Sequence, residues 1–146
     1  MAVDDWKTEA CPHHGPSLAI AADGTYHVAW FTNGRARRGL FFASSSDGGR
    51  TFSPPQVVGR PGASHPYLLK LGDAVWLAWK EFDGETTTVF AKISHNNGRT
   101  WSEPQSLART TDSSDLPLLV TNGRAIFLSW QTQAERYRLI PVEAGL

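Results

Sequence analysis

The sequence predicts an all-β fold: a β-propeller of four-stranded blades, three blades per chain. Three observations carry this reading. The phrases "TYHVAWFT", "AVWLAWKE" and "AIFLSWQT" align on Trp30, Trp79 and Trp130, a repeat of roughly 50 residues. A second matched phrase precedes each of them, aligned on Pro16, Pro66 and Pro117. A polar turn is written twice, as "SSSDGGRTF" ending at Phe52 and "SHNNGRTW" ending at Trp101. A plain β-sandwich also uses short strands, but it does not require the same Trp and Pro at one period.

Composition agrees. The chain has 146 residues, of which 40% are hydrophobic and 19% charged, enough apolar content for one packed domain. Thirteen glycines and nine prolines imply many turns, and six tryptophans with seven phenylalanines favour strands. Lys+Arg and Asp+Glu both number 14, so neither nucleic acid nor an anionic membrane is an expected partner. The single cysteine, Cys11, excludes a disulfide within the chain. No apolar run approaches the roughly 18 residues of a membrane span. The start, "MAVDDWKTEA", lacks the apolar core of an export signal. The expected location is therefore cytoplasmic, or secreted or periplasmic if a signal has been removed.

Taken in order, residues 4–10 read as an outer strand with no blade before it. Trp6 in "DWKTEA" resembles Trp101 in "TWSEPQ". Blade 1 then spans 16–59, blade 2 spans 66–109, and blade 3 spans 117–142 without an outer strand. In each, Pro opens the first strand, where its missing N–H costs little. "ADG", "LGD" and "TNGR" make the first hairpin. The Trp-bearing second strand is apolar on both faces: Tyr26, Val28 and Trp30 on one, Ala29 and Phe31 on the other. Such a strand belongs in a sheet packed between sheets, and the three Trp residues read as core. Trp76 and Trp79 alternate imperfectly, which predicts that one of them approaches the surface. Proline in the fourth strands, "FSPPQVVG" and "WSEPQSLA", suits an outer edge.

The repeated turn resembles the Asp-box (BNR repeat) of sialidases and their relatives. The first copy offers Ser45, Asp47, Gly49, Thr51 and Phe52. The second offers Ser94, Asn96, Gly98, Thr100 and Trp101, with Asn in the Asp position. The resemblance implies a turn between the third and fourth strands of a blade, on the face away from any active site. Asp47 or Asn96 would accept turn N–H groups, and the glycines would take positive φ. The resemblance also implies six blades. One chain supplies three, so residues 4–10 are expected to complete the last blade of a partner copy, a two-fold arrangement with strand exchange.

Ligands of propellers usually sit over the central channel. The loops leading into the inner strands carry His13, His14, His65 and Asp115, and those joining second to third strands carry Arg38, Glu81, Arg136 and Arg138. These are the candidate ligand-binding residues, and a glycan or small polar ligand is the expected partner besides a second copy. The favoured function is a sialidase-like propeller, non-catalytic, with a polar pocket at the channel mouth. Two alternatives stay open. Cys11, His13 and His14 form an unusual phrase with the chemistry to hold zinc or copper; otherwise no cofactor is expected. The resemblance also implies hydrolysis by Tyr137 activated by Glu81, with Asp115 as acid/base and arginines on a substrate carboxylate. Residues 1–16, however, contain no arginine, so the family's amino-terminal Arg-Ile-Pro phrase is absent.

Overall fold

The computed structural model describes residues 4–7 and 15–142. Among these, eleven strands form three antiparallel sheets. The first sheet contains β1 (Ser17–Ile20), β2 (Tyr26–Asn33), β3 (Arg38–Ser45) and β4 (Gln56–Val58), in that order. The second contains β5 (Ala63–Leu71), β6 (Ala74–Phe82), β7 (Thr87–Ser94) and β8 (Gln105–Thr110). The third contains β9 (Leu118–Thr121), β10 (Ile126–Thr132) and β11 (Arg136–Val142), with β11 at an open edge. Among the described residues no helix is long and apolar enough to cross a membrane.

The sheets stack face to face in chain order, and period-two alternation sets each interface. Between the first and second sheets lie Ala29, Leu40, Phe42 and Val58 on one side and Leu68, Val75, Leu77 and Trp79 on the other. Between the second and third lie Trp76, Ala78, Ala91 and Ile93 against Leu119, Ile126, Leu128 and Trp130. The second sheet is thus buried on both faces. Both of its tryptophans are in the core, Trp76 at 6% and Trp79 at 1% exposure, which corrects the expectation that one would reach the surface. Trp130 is also 1% exposed. Trp30 differs. It is only half-buried, because it points from the first sheet to the side where no sheet lies.

Residues 4–7 form no strand in the single chain. They cross the β2–β3 turn, where the Asp4 backbone lies so close to Gly34 that a Cβ there would collide with it. Trp6 packs edge-on against Phe31, with centroids 5.6 Å apart. In the single chain the described part of the predicted outer strand, 4–7, therefore lies against its own first sheet. Residues 8–10 lie outside the described residues.

The repeated turn joins β3 to β4 and β7 to β8. In the first copy, Thr51 N donates to Asp47 Oδ1 at 2.9 Å and Thr51 Oγ1 donates to Asp47 Oδ2 at 2.5 Å. Gly49 N donates to Ser45 Oγ at 2.9 Å. The second copy keeps the frame, with Thr100 N to Asn96 Oδ1 at 2.8 Å and Gly98 N to Ser94 Oγ at 2.8 Å. Only the hydroxyl bond reverses: Asn96 Nδ2 donates to Thr100 Oγ1 at 2.7 Å. An amide has both donor and acceptor, so Asn replaces Asp without leaving a group unpaired. Trp101 then packs across the interface on Phe42, 5.0 Å between centroids and nearly perpendicular.

Candidate functional site at the loop end of the sheets

Antiparallel pairing fixes two ends. The repeated turns and the hairpins β1–β2, β5–β6 and β9–β10 share one end. The β2–β3, β6–β7 and β10–β11 connections, with the loops leading into β5 and β9, share the other. The candidate polar residues that are described lie at this second end or close to it.

Three tryptophans organise the end, each donating its indole N–H to a different acceptor. Trp30 Nε1 donates to Asp4 Oδ2 at 2.8 Å, Trp79 Nε1 to Glu81 Oε1 at 2.7 Å, and Trp130 Nε1 to the Asp115 carbonyl at 3.1 Å. A buried indole N–H usually finds such a partner. Between the first and second sheets, Glu81 Oε1 also accepts the Arg60 N–H at 3.0 Å. Gly59, at φ 70°, passes so near Trp79 and Glu81 that a Cβ would come within 2.6 Å and 2.5 Å of them. Glu81 is thus engaged in fixing the loop into β5.

The richer cluster lies between the second and third sheets. Residues 113–115 run beside the end of β10: Gln133 N donates to Ser113 O and Asp115 N to Gln131 O, both at 2.9 Å. Lys80 Nζ reaches the carbonyls of Ser114 at 3.3 Å and Asp115 at 3.4 Å. Burial pushes the Lys80 ammonium below its usual range, and the Asp115 charge opposes that shift. Ser64 stands directly opposite Lys80 in the β5–β6 register. The register shifts between Ser64 and Tyr67, and His65 adopts φ 54°, a left-handed conformation uncommon outside glycine. Bulges of this kind re-aim side chains beside functional sites. His65 Nδ1 lies 2.9 Å from Ser64 Oγ. From the third sheet, the Arg138 guanidinium lies over the Trp130 ring at 5.5 Å and pairs with Glu135 at 3.5 Å. Its Nε is buried with no hydrogen-bond partner among the described residues. The Glu135 carboxyl is held below its ordinary range, first by the Thr132 hydroxyl and also by the Arg138 charge.

Of the predicted residues, the fold therefore brings Asp115 and Arg138 together around Trp130 and Lys80, with His65 on the neighbouring strand. It does not bring in Arg38, exposed at the start of β3, or Arg136, exposed at the start of β11 with φ 63°. Nor does it join Tyr137 to Glu81. Tyr137 stands on the open face of the third sheet, where Ser129 Oγ donates to its hydroxyl at 3.3 Å. Glu81 lies on the opposite side of the second sheet, toward the first. Cys11, His13 and His14 lie outside the described residues, and among those described no group of three His, Cys, Asp or Glu side chains could hold a metal. Lys80 and Ser64 join the cluster although the sequence did not mark them as site residues. β5 begins at Ala63, so Pro66, expected to open this strand, is its fourth residue, and Ser64 and His65 lie within the strand instead of in the loop before it.

No protein-family model matches the chain, and no curated protein matches it. Among solved structures, it is similar to the alpha-L-arabinanase of Penicillium chrysogenum complexed with arabinobiose, at 15% identity and TM-score 0.66, over 86% of this chain and 48% of that one. It is similar too to the GH93 alpha-L-arabinofuranosidase of Fusarium graminearum with arabinobiose, at 16% identity and TM-score 0.66, over 95% of this chain and 47% of that one. The chain spans about half the length of these structures. At such identities the likeness is one of fold: the three sheets are blades of β-propeller type.

Proposed function

We propose that this chain is a carbohydrate-binding propeller unit, and that the cluster between the second and third sheets takes a hydroxyl-rich or carboxylate-bearing ligand. The observation that carries the reading is Arg138. A guanidinium resting on Trp130, with Nε buried and unpaired among the described residues, is a donor waiting for an acceptor. Lys80, Ser64 and His65 supply further polar groups nearby. The solved neighbours, two of them complexed with arabinobiose, support a saccharide as the ligand class.

Binding without turnover fits the carboxyls better than hydrolysis does. A general acid needs a raised pKa, yet Glu135 and Asp83 are both held low by hydrogen bonds, Asp83 by the Thr86 and Glu85 backbone N–H groups. Glu81 is tied to Trp79 and Arg60. The hydrolase reading, of arabinan or sialoside type, rests on the names of the neighbours and on the resemblance of the repeated turn.

The test is calorimetric titration with arabinobiose, longer arabino-oligosaccharides and a sialoside, with chromatography of the sugar afterwards. The expected result is binding of one of these with the sugar recovered intact. Arg138→Ala is expected to weaken binding about tenfold or more, since a hydrogen bond to a charged group contributes roughly 1.5–3 kcal/mol. Release of free sugar at a rate proportional to protein would establish the hydrolase reading instead. Unchanged affinity in Arg138→Ala would remove this cluster as the site.

A further inference from the structure

The exposed apolar residues are not scattered. On the first sheet, Leu18 opposes Val28, Ile20 opposes Tyr26, and Val57 opposes Phe41, which opposes Trp30. All of these share one face, directed away from the second sheet. On the third sheet, Leu118 and Leu139 both oppose Ser129, Val120 opposes Phe127, and Tyr137 opposes Gln131. These share the face directed away from the second sheet on the other side. Val57 is 70% exposed and Tyr137 61%, and Leu18, Ile20, Leu118, Val120 and Leu139 are exposed with them. On the first sheet, Val28, Trp30, Ala43, Phe52, Pro54 and Pro55 line a groove of about 300 Å³. Soluble monomers rarely leave apolar surface gathered in this way.

The two faces are complementary in kind. Inside the chain, each interface sets the Trp-bearing face of one sheet on the opposite type of face of the sheet before it: Trp79 of the second sheet packs toward the first, and Trp130 of the third toward the second. Among the described residues, the Trp30 face of the first sheet has no such predecessor. The third sheet leaves free the face that would serve as one. The unfinished contacts at the two ends are therefore the two halves of a contact the chain already makes twice.

We infer that a second copy of this chain docks on both faces, its third sheet against the Trp30 face and its first sheet against the Leu118–Leu139 face. Repeating one head-to-tail contact around a closed circle needs no new kind of interface. Two copies supply six sheets. Each copy matches 48% and 47% of the two propeller structures above, so a pair reaches the extent of one whole propeller. The loop end of such a pair carries the Lys80–Arg138 cluster twice.

Sedimentation and light scattering of the purified chain test this. The expected mass is twice the 16.0 kDa of the chain, constant with concentration over the micromolar range. Leu139→Glu and Val57→Glu each place a charge on one free face and are expected to give the 16.0 kDa species with an unchanged β-sheet circular dichroism spectrum, since both positions are exposed in the single chain. Asp73→Lys, in the β5–β6 hairpin away from both faces, is expected to leave the mass doubled. The summed tryptophan fluorescence is expected to shift to the red in both free-face variants as the Trp30 indole becomes wetter. A wild-type mass of one chain would overturn the inference and assign the faces to another partner. A mass that climbs with concentration would overturn the closed pair, and a doubled mass retained in both free-face variants would overturn the faces named.

Discussion

Asp47 stands at the surface, yet its carboxyl is held down to about 2 from the usual 3.8, chiefly by the Thr51 hydroxyl and then by the Thr51 N–H and the Ser45 hydroxyl. A carboxylate whose pKa falls on folding stabilises the turn above pH 3.8, and that support is lost as the pH falls through about 2. Protection of the Thr51 amide from exchange, taken relative to its intrinsic rate, is therefore expected to fall between about pH 4 and pH 2, while Thr100, served by the non-titrating Asn96, shows no such step. Asp47→Asn should abolish the step and keep the turn, as the second copy already does. If Thr51 and Thr100 respond alike to acid, the carboxylate does not hold the turn. At this scale the sequence was legible where chemistry is local: Ser45, Asp47, Gly49 and Thr51 bond one another within a few residues. It was less legible where a group meets a distant one. His27 is fully buried, stacked on Phe42 at 6.0 Å, with burial pushing its pKa down. Lys92 lies 4.7 Å from the Trp101 ring, lowered by burial to about 8. Neither environment follows from strand alternation alone.

At the scale of the element, each sheet is defined by which of its faces meets a neighbour. Alternation in the sequence correctly divided Tyr26, Val28 and Trp30 from Ala29 and Phe31, but could not say that one face of the first sheet would lack a partner. The same limit explains Trp76 and Trp79, which both bury because the second sheet is flanked on two sides. The turns act between sheets as well as within them. Gly98 sits at φ 77°, and a Cβ there would collide with the Phe42 ring of the neighbouring sheet. Gly49, at φ 86°, has the Tyr26 ring at 3.5 Å and the Phe52 ring at 3.9 Å, both ordinary contacts. Gly98→Ala is thus expected to cost about 2–3 kcal/mol, adding overpacking to the strain of a left-handed alanine, and Gly49→Ala about 1 kcal/mol. Thermal or urea denaturation of the two variants measures the difference, and equal losses would show that the Phe42 contact is soft. The loop cluster was partly legible. Asp115 and Arg138 could be assigned to one end of the blades from topology, whereas the bulge that turns His65 and sets Ser64 opposite Lys80 depends on a register that no spacing encodes.

At the scale of the whole molecule, the repeat made the blade architecture readable, because three Trp and three Pro in common register demand three equivalent sheets. The contribution of residues 4–7 was not readable. Asp4 accepts from Trp30 and lies 3.8 Å from Arg37, a tertiary contact that holds the segment at the loop end of its own first sheet. In the proposed pair, the two outer faces of the stack of blades complete each other across two copies. Small-angle X-ray scattering of the wild-type chain in dilute solution tests that most directly. A flat, rounded particle with the scattering mass of two chains and a central depression in its density is the expected result. A wedge with the mass of one chain, its apolar faces open to solvent, would contradict it.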